Sequence, residues 1–180
     1  MSKIEFVPYQ LIPASFNPWR EVFLEVAEEA MAALAHSELE LLHFGSSSFK
    51  VAGKGIIDIS VLYKPGQLAQ AVEHLKSLGF ADQHSDNPFP DTRPRKDIAV
   101  MYQGELFQVH AHVIEKGSEE HMKQERFKAY MLSNPEARAE YETQKQLAIA
   151  KGIASQDEYG KAKAPFVKRT LNTLKGIHFN

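Results

Sequence analysis

The sequence contains no cysteine. Disulfides, thiolate zinc sites and cysteine nucleophiles are therefore excluded, and His, Asp and Glu are left as the protein ligands open to a metal ion. Nor is there an excess of one charge: 21 basic against 23 acidic residues give a formal net charge of -2. Without the broad basic field that holds a nucleic-acid backbone, nucleic acid is not an expected partner. No apolar run approaches the roughly 18 residues that cross a bilayer, and the first six residues carry no apolar leader. These absences read as a cytoplasmic protein with no membrane partner.

What is present is ordinary globular usage. Of 180 residues, 43% are apolar and 24% charged, a composition that folds around a core and fits one domain over 1–180. Residues 7–17, with two prolines, read as irregular chain. Asn17-Pro18 then reads as an N-cap and first helical position. Trp19, Val22, Phe23, Val26, Ala30 and Ala33 recur at spacings of three and four through 19–34, as in an amphipathic helix. Residues 39–44 read as a buried strand ending at Gly45 and three serines, and 56–63 as a β-branched strand around Asp58 and Ser60, stopped by Pro65-Gly66. A helix over 67–78 closes at Gly79.

Residues 82–97 hold three prolines and four aspartates without any period, which marks a functional or mobile connection with the character of a lid. A hairpin follows, 98–102 and 106–114, around Gln103-Gly104. In its second strand Gln108, His110 and His112 share one face, while Phe107, Val109, Ala111 and Val113 share the other. Helices over 119–132, 135–149 and 155–174 make a helical tail spanning 117–175. This order predicts an α+β fold, a mixed β-sheet flanked by helices with a C-terminal helical segment.

Chemistry concentrates at the strand ends. A glycine at Gly45 lets backbone approach a phosphate, Ser46, Ser47 and the turn amides can hydrogen-bond it, and Asp58 on the next strand can hold Mg²⁺. The same residues also read as a plain turn beside a satisfied buried acid. His110 and His112 are spaced to reach one ion, and with Asp58 they make a two-histidine, one-carboxylate set for a divalent metal, or else hydrogen-bond partners of Asp58. Lys54, Arg93 and Arg95 can neutralise phosphate charge, or can be solvated surface cations. His43 is a ligand contact or a strand-end packing residue. The charged residues of the tail, Lys123 among them, read as a solvated helix face, and Phe127, Tyr130, Tyr141, Tyr159 and Phe166 as core.

The strings His43-Phe44-Gly45-Ser46-Ser47, Lys54-Gly55-Ile56-Ile57-Asp58-Ile59 and Val109-His110-Ala111-His112-Val113 carry a resemblance, continued by Arg126-Phe127-Lys128-Ala129-Tyr130-Met131 and Asn134-Pro135-Glu136-Ala137. Together they resemble the GrpB family within the nucleotidyltransferase superfamily, over nearly the whole chain. The resemblance implies a nucleotidyltransferase-like sheet with helices and a GrpB-like role that is largely undefined. Where active nucleotidyltransferases carry a second carboxylate two residues after the first, this chain has Ser60. Where a neighbouring strand would offer a third acid, it has Gln108, His110 and His112, and Phe49-Lys50-Val51 replaces the Val-Pro-Gly common in the family.

Two functions are expected from this. One is metal-dependent nucleotidyl transfer from a nucleoside triphosphate, with Asp58 catalytic, Asp58, His110 and His112 on a divalent ion (Mg²⁺, Mn²⁺ or a transition metal), and Gly45, Ser46, Ser47, Lys54, Ser60, Arg93 and Arg95 on the nucleotide. The other is a non-catalytic protein that binds a nucleotide or small molecule on the same fold.

Overall fold

Segments that alternate or run apolar in the sequence pair as strands in the computed structural model, which describes residues 2–13, 15–151, 166, 168–171 and 174. The elements are β1 (Ile4–Val7), α1 (Val22–Leu34), β2 (Leu39–Phe44), β3 (Ile57–Tyr63), α2 (Leu68–Ser77), β4 (Ala81–Asp82), β5 (Arg95–Tyr102), β6 (Glu105–Glu115), α3 (Glu119–Ser133) and α4 (Pro135–Ala150). The sheet is mixed, in the order β1-β5-β6-β3-β2, with β4 on β5 as well. β3 and β6 run parallel and every other pairing is antiparallel. The expected α+β class, a mixed sheet flanked by helices, is what forms.

Alternation gives the sheet two faces. On one, Ile57, Ile59 and Val61 of β3, Ile98 and Val100 of β5 and Val109, Ala111 and Val113 of β6 meet Val26, Ala30 and Leu34 of α1 and Leu75 of α2. Ile57, Ile59 and Val61 have no exposure, so each contributes on the order of 1.5–3 kcal/mol. The opposite face carries the polar residues of the same strands and is roofed by α3 and α4. Phe49 and Val51, from the chain after β2, join Phe127, Met131, Ala137, Tyr141 and Phe166 in a second apolar cluster there.

The structure corrects the sequence reading at several boundaries. Residues 4–7, of which Val7 alone falls in the stretch read as irregular and the rest in no expected element, form an edge strand on β5. Asn17 does not cap α1: its N–H and C=O pair with those of Gly53 at 2.7 and 3.0 Å, so its backbone serves a β-bridge and the helix begins at Val22. The connection read over 82–97 is shorter, because Ala81–Asp82 pair with Asp97 and Lys96 as strand and β5 begins at Arg95. In the tail, Ser118 caps α3 by accepting the His121 N–H at 3.3 Å. The helix read over 155–174 falls largely outside the described residues; within it 166, 168–171 and 174 are helical.

Candidate functional site

Strand register lays the polar face out as a grid. Asp58 of β3 stands level with His110 of β6, which stands level with Asp97 of β5; one row along, Ser60, His112 and Arg95 align in the same way. Phe44, at the end of β2, lies opposite Asp58. The chain then turns at Gly45, whose φ of +78° is costly for any residue with a Cβ. A Cβ at Gly45 would also sit 2.6 Å from Asp58 Oδ2. Glycine is thus required twice here, by the turn and by the carboxylate packed against it. The turn is tied by Ser48, whose N–H and hydroxyl both donate to the Gly45 carbonyl, at 2.9 and 2.7 Å. The Ser46 and Ser47 N–H groups donate to nothing among the described residues.

His112 Nε2 lies 2.9 Å from Asp58 Oδ1, and both side chains are partly exposed, at 15% and 24%. His110 is different. Its Nε2 meets the Tyr9 hydroxyl at 2.8 Å and its Nδ1 is 3.8 Å from Asp58 Oδ1. The chain after β1 forms a strap over β6, with Tyr9 on His110 and the Gln10 carbonyl accepting from the Gln108 amide. Burial under this strap, reinforced by the Arg95 charge, holds His110 well below the usual histidine range and therefore neutral. Burial likewise pushes Tyr9 up to about 12.

Asp97 is 1% exposed, and its two oxygens receive Arg95 Nε and Nη2 at 2.8 and 3.0 Å. Burial raises the Asp97 carboxyl against the pull of that fork. His43 is buried too, with Nε2 2.9 Å from Ser47 Oγ; burial first, and then the Lys128 ammonium, lower it to about 4.

Beside the Gly45 turn a cavity of about 350 Å³ opens between the sheet and the helical roof. Its floor holds Gly45, Ser46, Asp58 and His112. Its roof comes from Glu120, Lys123, Gln124 and Phe127 of α3, which recur three and four residues apart and so share a helix face, with Tyr141 of α4. The 83–94 connection supplies Phe89 and Arg93; Phe89 meets the His112 ring edge-on at 5.3 Å, and the Arg93 guanidinium lies 5.5 Å from the Phe89 ring centre.

The cavity gathers some of the expected residues and not others. Gly45, Ser46, Asp58, His112 and Arg93 line it, whereas Ser47, Lys54, Ser60, Arg95 and His110 are buried and do not. Ser60 donates to Gln124 Oε1 at 2.5 Å. Arg95 is engaged by Asp97. Among the described residues no group of three or more His, Asp or Glu side chains is arranged to hold a metal ion. With His110 bonded to Tyr9, the floor offers Asp58 and His112. That does not amount to a three-ligand transition-metal set; of the two, Asp58 is the oxygen ligand of the kind a hard ion such as Mg²⁺ takes.

Sequence reasoning missed Lys123, Gln124 and Tyr141 as lining residues, Tyr9 as the cover of His110, and Asp97. The readable signal for Lys123 and Gln124 was the polar and aromatic residues sharing one face of α3.

The structure of the poly(U) polymerase Cid1 in complex with the UTP analogue UMPNPP is similar at a TM-score of 0.47 and 17% identity, over 71% of this chain and 40% of that one. A cytoplasmic RNA terminal U-transferase is similar at 0.44 and 17%, over 72% and 43%. The chain spans about two fifths of the length of these proteins. Among curated proteins none matches. The family described as GrpB protein matches residues 10–173.

Proposed function

The chain belongs to the GrpB family, and on that premise we propose that its cavity binds a nucleotide or a related phosphorylated small molecule. The phosphate lies at the Gly45-Ser46 turn, with the Ser46 N–H group as donor, and the ring lies toward α3. The observation that carries this reading is the turn itself: Ser46, whose N–H has no partner among the described residues, and Gly45, which lets an anion approach, line a cavity rimmed by Lys123 and Arg93. Where phosphate arrives with Mg²⁺, Asp58 is the carboxylate that holds the ion, and the ion's contribution is to neutralise phosphate charge.

Binding is favoured over two-metal transfer by the state of the second carboxylate position. Ser60 has no exposure, and its hydroxyl is donated to Gln124. A pair of ions clamped between two carboxylates has no second anchor there. Nucleotidyl transfer remains the second reading, supported by the Asp58–His112 pair, since a histidine held by a carboxylate is suited to take a proton from an acceptor hydroxyl. The distinguishing test is calorimetric titration of ATP, GTP, CTP and UTP with and without Mg²⁺, joined to an assay for released pyrophosphate. Metal-assisted binding lost in Asp58→Ala, without pyrophosphate release, is the expected result. Pyrophosphate release that depends on Asp58 establishes transfer instead, and absence of binding to any nucleotide sinks both.

A further inference from the structure

The roof of the cavity carries two buried donors with no acceptor among the described residues. Gln124 is 9% exposed and Tyr141 4%. The oxygen of the Gln124 amide is engaged by Ser60, so its NH₂ is the end left over, and neither that NH₂ nor the Tyr141 hydroxyl has an acceptor among the described residues. Both residues line the cavity. Buried donors are almost always paired, and a pair left open on a cavity wall is a place for a ligand's acceptor atoms. With the Ser60 hydroxyl donating to the amide oxygen, the NH₂ end points away from it. Ser60 sits on β3 beneath α3 with no exposure, and its hydroxyl has the Gln124 oxygen within reach.

We propose that Gln124 and Tyr141 read the ring of the ligand, with Ser60 as the positioning residue, so that the cavity selects a base bearing a carbonyl oxygen at its edge over one bearing an amino group there. This rests on the binding reading above and names its substrate class: uracil- or guanine-type rings, which present a carbonyl where cytosine and adenine present an amino group. A carbonyl accepts from both the amide NH₂ and the hydroxyl, whereas an amino group set against the same NH₂ opposes donor to donor and leaves the amide unmet, the hydroxyl alone being able to turn and accept. The one acid on this stretch of the roof, Glu120, is exposed enough for solvent to screen its pull on an amino group. Burial and then the Asp58 charge raise the Tyr141 hydroxyl, and Asp58 is taken up in this reading by the phosphate's ion.

The test measures calorimetric affinities of uridine, cytidine, UTP, CTP, GTP and ATP for the wild-type chain, Gln124→Leu and Ser60→Ala, with circular dichroism to confirm that each variant folds. The expected result is at least about a tenfold preference for UTP over CTP and for GTP over ATP. Gln124→Leu removes that preference. Ser60→Ala, which frees the amide to rotate, flattens it while triphosphate binding persists. Equal affinities in the wild-type chain overturn the inference and leave the binding reading standing, as does a preference that survives Gln124→Leu. A preference for the amino-bearing bases means that the amide oxygen faces the ligand and also overturns it. If no nucleoside or nucleotide binds, the binding reading falls and takes the inference with it.

Discussion

Gly45 is a position where two independent requirements fall on one residue. Its backbone is left-handed, and the space a Cβ would fill belongs to Asp58 Oδ2. Gly45→Ala is therefore expected to lower unfolding free energy by about 1–3 kcal/mol, the range for a strained backbone position, and to push the Asp58 carboxylate out of place. Thermal melts with nucleotide titration would show both effects, and a variant as stable as the parent would remove the close approach from the account. At this scale the sequence was legible where a residue type is costly. A carboxylate among isoleucines and a glycine before three serines marked Asp58 and the turn. Asp97 and Gln124 carried no such mark, because their meaning comes from partners on other strands and helices: Arg95 for one, Ser60 for the other.

Among the elements, β2, β3 and β6 were read within a residue of their bounds, since alternation and β-branching act locally, while β5 starts three residues earlier than read. β1 was missed because four residues of mixed character become a strand only when β5 offers its edge, and the N-terminus of α1 was misplaced because a bridge to Gly53 claims Asn17. The roof elements α3 and α4 depend on tertiary contacts, and Phe49 is their link to the sheet. It is 1% exposed and packs against Phe127 and Tyr141 with ring centres 5.7 and 6.2 Å away. Phe49→Ala is expected to cost about 3–5 kcal/mol and to loosen the roof more than the sheet. Hydrogen exchange would then show α3 and α4 losing protection ahead of β3 and β6, while uniform loss would mean that the roof and sheet are one cooperative unit.

For the molecule as a whole, buried neutral histidines set the response to acid. The unfolded chain takes up a proton at His43 near pH 6.5, whereas the folded chain refuses it until about 4. Between these values the unfolded state binds more protons, so stability is full above about pH 6.5 and declines as pH falls toward 4. For His43 the effect is roughly 3 kcal/mol, and His110, shifted in the same direction, adds to it. Urea midpoints at pH 7, 5.5 and 4.5 should fall steadily, and His43→Gln should flatten the slope; a pH-independent midpoint would contradict the burial of both rings. Among the described residues no helix is long and apolar enough to cross a membrane.

The parallel pairing of β3 with β6 also sets when the site comes into being. Asp58 and His112 are 54 residues apart in the chain and meet when that ladder closes. Joining strands so distant in sequence means closing a long loop before any contact rewards it, which makes such pairing slow. During refolding, the ability to capture ligand should accordingly appear with the slowest phase, after helical signal has returned. A cell that supplies the ligand would then be stabilising finished molecules alone, leaving half-folded ones to the proteases.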